Sequence, residues 1–474
     1  MADPFSFLPL ALAAHGGRVD DVPAEQLVAA GIALLQRSAT LVRTLSGKRS
    51  AILLPTSHRF LVALAASDGR GAVLINPLAA QPEIAHQLRD ANVGAVFTNA
   101  ALARHLPDDV THVLLDDAPK SAIVISNRTR KTVDLGSHFG LSLEGEPDTP
   151  GADEEAAIVY TSAMAGTPLG AIVTHRNLLA NARSTIEAMG NTSDDRVLAL
   201  LPFAHLFGLT VTASGPLMAG ARVTTMAKFS PSRAIELISS GQITEIVGVP
   251  SVYRALISAI EQRSLAADDV RGALRVCICG GSPLPPSLQE RWFEATGVEL
   301  RQGYGLTEAG PVCLFNRVDR PNIRGSLGAP LPRVEVRLGE QHEILVRGDN
   351  VFRGYVSGGE RGLQLTDGWL HTGDIGRREK SDSIGFLMVE KEMFTRNGFN
   401  IYPRELERVI GEMTGIEQVR VSAAEHPERE PDIVVAIRGR ATSDEVRAWC
   451  ATRLSAYKQP QVVDCVDNFE RLSN

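Results

Sequence analysis

The stretch TSAMAGTPLGAIVTH, residues 161 to 175, follows an apolar run and leads into a helix-like segment. A glycine-containing loop in that position is where a chain often cradles phosphate on its backbone N–H groups. This loop has no lysine, and its middle is Ala163-Met164-Ala165. From its residues it reads as a phosphate loop, an altered phosphate loop or a turn. Other clusters offer chemistry of their own. GYGLTE places the carboxylate of Glu308, a group that hard cations prefer, beside the hydroxyl of Thr307, which can donate to phosphate. Asp374 in HTGDIG suits either hydroxyl recognition or a turn cap. His205 stands between Phe203 and Phe207, a setting for a pocket wall and for a packed core alike. Asn397-Gly398 is a strong turn signal.

Such residues need elements to hold them. The chain has 474 residues, too many for one ordinary core, so two or three domains or subdomains are expected. Residues 51 to 76 read as strand, turn, helix and strand, a rhythm repeated through PEIAHQLRDANVGAVFTN and EEAAIVYTS. RVLALLP, ARVTTM, EIVGVPS and LRVCICGG continue it, separated by helix-like segments. Alternating strands and helices imply mostly parallel sheets covered on both faces. After about residue 325, alternating apolar and polar residues suggest antiparallel strands in a smaller subdomain. From about residue 389 the chain reads as a compact α+β unit. The fold class expected is therefore α/β. A large N-terminal domain with a small β subdomain spans residues 1–388, and a small α+β domain spans residues 389–474.

Composition removes several function classes. A net charge of −7 supplies no broad cationic face, which argues against a general nucleic-acid binder. Cys277 and Cys279 form C-x-C in an apolar run, with no second Cys/His pair near in sequence. They read as buried strand cysteines rather than a metal site. Scattered cysteines, an N-terminus without a basic region and no spanning apolar stretch make a cytoplasmic protein the expectation.

Taken together, YTSAMAGTPLGAIVTHRNL, LPFAHLFGL, CICGGSPLP, QGYGLTEAG, EILVRGDNVFRGY, GWLHTGDIG, NGFNIYPRELE and YKQP keep one order along nearly the whole chain. That order resembles the AMP-forming, adenylate-forming superfamily of acyl- and aryl-CoA ligases, peptide-synthetase adenylation domains and luciferases. The resemblance implies activation of a carboxylate by ATP with Mg²⁺, release of pyrophosphate, and passage of the acyl-adenylate to CoA or a phosphopantetheine arm. It implies a C-terminal domain that rotates between these half-reactions. It assigns Thr307 and Glu308 to catalysis, with Glu308 as the metal ligand. Ser162, Gly166, Thr167, Gly280, Gly281, Ser282, Tyr304 and Asp374 fall to the nucleotide, with Asp374 on the ribose. His205, Phe203, Phe207 and Gly303 fall to the acyl pocket, and Gly398 and Phe399 to the thiol-transfer loop. An apolar acyl or aryl acid is the expected substrate, with a carrier protein or another biosynthetic enzyme as candidate partner.

The sequence departs from the family where the family grips phosphate. The phosphate loop usually carries hydroxyls and a lysine, and here Ala163, Met164, Ala165 and Leu169 stand in that frame. None of these side chains can donate to phosphate. The Asp-Arg pair of the hinge is absent, with Met388 and Val389 or a short deletion in its place. The Gly-Lys that usually follows the last segment is not in this sequence, and Lys458 is not its counterpart. The expectation is an acyl-CoA ligase homologue impaired in adenylation: a pseudo-ligase keeping a nucleotide and acyl pocket or a partner-binding role. The alternative is an active ligase that forms acyl-CoA, AMP and pyrophosphate.

Overall fold

Short runs rich in Val, Ile and Ala become buried strands, because both faces of their sheets are covered. A computed structural model describes residues 7–67, 71–115, 121–135, 151–161, 168–358, 364–379, 382–389, 393–424, 426 and 430–466. In the first sheet Arg49–Ile52, Ala72–Leu74, Val93–Thr98, Thr111–Leu115 and Glu155–Thr161 run parallel. The helices Ala24–Arg37 and Arg59–Ala66 pack against each other so closely that a Cβ on Gly31 would lie 2.4 Å from the Val62 carbonyl. The second sheet carries a parallel block of Arg18–Val19, Arg222–Thr225, Arg196–Ala199, Glu245–Gly248, Val276–Cys279 and Leu300–Tyr304. Its pairings turn antiparallel from Leu314 onward, somewhat before residue 325, where the alternating pattern predicts the change.

One local expectation needs correction. The loop after Thr161 does not pass directly into a helix. Leu169–Thr174 first returns as a strand antiparallel to Glu155–Thr161, with Leu169 opposite Thr161. LGAIVT is apolar and β-branched enough to pair, and only then does a capping box at Thr174 and Asn177 start the helix His175–Met189. The expected site residues Ser162, Gly166 and Thr167 lie outside the described residues.

The C-terminal unit has its own core of Ile401, Leu406, Ile410, Val435, Val446 and Leu454. Helices Pro403–Gly411 and Ser443–Arg453 accompany an antiparallel pair, Ile416–Ala424 and Asp432–Gly439, and the parallel strand Val462–Cys465.

A buried polar cluster lies at the start of the parallel strands, opposite the end where ligands bind in such sheets. Asp195 pairs with Arg275 at 2.8 Å, and Asn191 Nδ2 donates to Glu245 Oε2 at 2.7 Å. Glu245 is fully buried, and its Oε1 finds no partner among the described residues. Burial, with Asp195 adding to it, pushes its carboxyl from 4.5 up to about 8. The folded chain thus holds a proton that the unfolded chain releases above pH 4.5. Stability must fall as pH rises from 4.5 to 8 and level off above. Glu245→Gln should remove this loss, which amounts to roughly 5 kcal/mol at most. Thermal unfolding from pH 5 to pH 9 checks it: the variant's advantage should grow with pH, and a pH-independent difference would count against it.

Candidate active site

The strands Glu245–Gly248, Val276–Cys279 and Leu300–Tyr304 end together at a cavity of about 760 Å³. The crevice beyond the carboxyl ends of parallel strands is where α/β folds bind ligands. Thr161, Leu169, His205, Phe207, Gly280, Gly281, Ser282, Gly303, Tyr304, Thr307, Glu308, Asp374, Gly398 and Phe399 all meet on its wall. Residues as far apart in sequence as Thr161 and Phe399 therefore face one space.

Tyr304 donates to Asp374 Oδ2 at 2.6 Å, and burial together with that carboxylate holds its phenol protonated, far above the usual range. The phenol fixes the orientation of Asp374 at the wall. Ser282 Oγ is buried and finds no partner among the described residues, so the wall presents an unused polar atom there. Gln302 also lines this part of the cavity, between Gly280 and Tyr304. Its place inside QGYGLTE is the one sequence signal that marks it.

Thr307 opens a short 3-10 turn, Thr307–Ala309, that presents Glu308. Glu308 Oε1 accepts from Tyr355 at 2.8 Å and from Thr161 at 3.2 Å. Among the described residues its Oε2 accepts no hydrogen bond. A carboxylate on the cavity wall held by one oxygen, with the other unbonded among the described residues, fits a hard divalent cation. With Ser282 and Asp374, the donors and acceptors present also fit a nucleotide.

His205 lies beside a fully buried π-helical turn, Phe207–Ser214. Its Nδ1 accepts from the Phe207 N–H at 3.2 Å, so the neutral ring carries its proton on Nε2. The ring is reachable from the cavity, yet the protein around it displaces bulk water. That desolvation lowers its pKa to about 4. It is therefore a neutral hydrogen-bond donor at pH 7. Phe207, expected in the acyl pocket, lines the cavity, whereas Phe203, expected beside it, does not. Phe203 is fully buried and packs edge-on against Phe60, with ring centres 5.7 Å apart.

The Asn-Gly signal is both a turn and a site element. Asn397 and Gly398 have φ of +53° and +78° and join the paired strands Phe394–Arg396 and Phe399–Ile401. A Cβ on Gly398 would lie 2.4 Å from Val249 Cγ1, and one on Gly281 would lie 3.6 Å from the Gly398 carbonyl. The turn thus enters the cavity on bare backbone. Phe399 stacks on Tyr457 at 4.1 Å and meets the His205 ring edge-on at 6.5 Å.

Ion pairs hold the C-terminal unit in this position. Arg254 Nη2 reaches Glu430 at 2.6 Å. Lys458, buried to 4% exposure, pairs with Glu83 at 2.9 Å and Glu405 at 2.6 Å. Burial opposes its charge, but the two carboxylates outweigh that and hold its pKa above the usual lysine value. Lys458→Met would leave two buried carboxylates without a counter-ion, a loss of roughly 3–5 kcal/mol. The expected outcome is a lower melting temperature and looser docking, read by thermal unfolding and small-angle scattering. Unchanged values in both would contradict this role.

The cavity wall has little positive charge. Among the described residues it carries Glu308, Asp374 and Glu430, and Arg254 alone among lysines and arginines. Leu169 occupies the place expected for the lysine. The strand Ile384–Val389, where the hinge pair is expected, runs antiparallel to Trp369–Arg378 with Val389 opposite Asp374.

A family model for AMP-binding enzymes matches residues 38–356. The chain belongs to the AMP-binding enzyme family. Among its relatives within this family is a feruloyl-CoA synthase of Amycolatopsis sp, 31% identical over 440 residues that cover 89% of this chain and 85% of the relative. A long-chain-fatty-acid–CoA ligase of Bacillus subtilis (strain 168) is 27% identical over 462 residues, 88% of this chain and 82% of the ligase. A malonyl-CoA ligase solved as a product complex with methylmalonyl-CoA and AMP matches with a TM-score of 0.79 and 25% identity, covering 97% of each chain. The α/β architecture with a smaller C-terminal unit is that of these adenylate-forming enzymes. Among the described residues no helix is long and apolar enough to cross a membrane.

Proposed function

We propose that this chain binds an apolar acyl or aryl carboxylate as its adenylate and hands it to a thiol, and that its ATP-dependent adenylation is impaired. The observation that carries the reading is the charge of the cavity wall. Leu169 replaces the expected cation, and Arg254 is engaged with Glu430. Among the described residues, negative charge building up on a transferring phosphoryl group would meet few preorganised cationic donors, and each missing donor typically costs about 100- to 1,000-fold in rate. Losses within one catalytic unit do not multiply.

The transfer side is better equipped. Gly398 enters the cavity on backbone alone, His205 offers Nε2–H, and the Lys458–Glu83 and Arg254–Glu430 ion pairs dock the C-terminal unit. ATP would lie between Gly280, Ser282, Tyr304 and Asp374, and Mg²⁺ on Glu308 would draw charge from the phosphates. CoA or a phosphopantetheine arm would supply the thiol. Full ligase activity is the second reading, favoured by the well-held Glu308.

Two assays on the full chain test the proposal: carboxylate-dependent exchange of pyrophosphate into ATP, and CoA acylation from a synthetic acyl-adenylate. Ferulate and long-chain fatty acids, the acids named for the relatives, are the first to try. Transfer without matching exchange supports the proposal. Robust exchange overturns the impairment, and loss of both overturns the ligase reading.

A further inference from the structure

The segment NVFRGY, residues 350 to 355, carries the Tyr355 hydroxyl that meets Glu308, and it also braces the turn on which Glu308 sits. Asn350 Nδ2 donates to the Ala309 carbonyl at 2.8 Å, and the Phe352 N–H donates to the Glu308 carbonyl at 2.9 Å. Asn177, in the first turn of the helix His175–Met189, donates from Nδ2 to the carbonyls of Asp349 and Val351 at 2.7 and 2.8 Å. The brace is therefore tied to the helix that follows the phosphate-loop hairpin. Gly354 and Tyr355 pair with Ile172 and Ala171 of that hairpin. Phe352 meets the Tyr355 ring edge-on at 4.9 Å, which limits where the phenol can point.

We propose that Tyr355 is a positioning residue for Glu308. Its Oη holds Oε1 at 2.8 Å, while Oε2 of this cavity-lining residue accepts no hydrogen bond among the described residues. Thr161 adds a second, longer bond to the same oxygen at 3.2 Å. One carboxylate oxygen is thus held from two strands of the hairpin sheet, and the other is left for a divalent cation. Groups that orient a metal ligand in this way typically govern metal affinity by about 10- to 100-fold. The inference rests on the reading of Glu308 as the cation ligand.

The test is Mn²⁺ binding to the full chain in the presence of ATP, followed by electron paramagnetic resonance, with melting temperature measured alongside. Tyr355→Phe keeps the ring and removes only the hydroxyl, so it should raise the Mn²⁺ dissociation constant about tenfold or more. Thr161→Val should shift it the same way by a smaller factor. A purely structural role would lower the melting temperature and leave Mn²⁺ affinity alone. Equal Mn²⁺ affinity in wild type and both variants overturns the inference. A wild type that binds no Mn²⁺ with ATP overturns instead the cation reading of Glu308, and the inference falls with it.

Discussion

Gly398→Leu should reduce CoA acylation from a synthetic acyl-adenylate by about 100-fold or more, the scale expected when reacting groups are displaced by an ångström or so. The added Cβ meets Val249 Cγ1 at 2.4 Å, and the backbone there has a φ of +78°, which a leucine rarely adopts. The rest of the side chain has nowhere to go but the space between Val249 and Gly281, where the turn and the wall already approach closely. Both strain and volume push the hairpin out of the cavity. Phe399 would leave its contact with His205, although its stack on Tyr457 lies within the C-terminal unit and can persist. Pyrophosphate exchange, which the proposed transfer role of this turn does not involve, should fall far less. A leucine variant that transfers at the wild-type rate would show that the turn does not border the thiol path.

Glu308→Gln should lower pyrophosphate exchange by about 100- to 1,000-fold relative to the wild-type rate, however slow that rate is. Gln keeps the shape and still accepts from Tyr355 and Thr161, so the local fold should hold. What it loses is the charge that a hard cation requires. Transfer from a preformed adenylate needs no pyrophosphate grip and should be slowed far less. Exchange and transfer that fall by the same factor would mean that Glu308 serves the structure of the cavity rather than a cation.

Much of this architecture is legible in the sequence, for physical reasons that can be named. EIVG and VCIC are buried on both faces, so they read as continuous apolar runs and form parallel strands. The motifs at strand ends follow directly: Gly280 succeeds Cys279, and Tyr304 closes its own strand. The hairpin Glu155–Thr174 was harder, because an apolar strand that leads into a helix carries no sign of its pairing direction. Phe203 and Phe207 flank His205 symmetrically in sequence, yet the entry into the π-helical turn sends one to the cavity and the other to the core.

Contacts that join distant segments leave no local pattern. Lys458 and Glu83 are 375 residues apart, and neither residue carries a signal for the other. Tyr355 and Glu308 lie 47 apart on different elements, so the sequence offers GY as a motif without its partner. Leu169 is the reverse case. Its identity was plain from the sequence, but only the cavity wall shows that the described neighbours supply one arginine, Arg254, which is paired.

The central claim is that transfer outlasts adenylation in this chain, and one comparison tests it most directly. The rate of pyrophosphate exchange and the rate of CoA acylation from the matching synthetic adenylate are measured on the same full-length protein, across aryl and fatty acids. The account predicts acylation faster than exchange by about 100-fold or more for the best acid. Exchange that keeps pace with acylation would contradict it and would make this chain an ordinary AMP-forming ligase with an unusual phosphate loop.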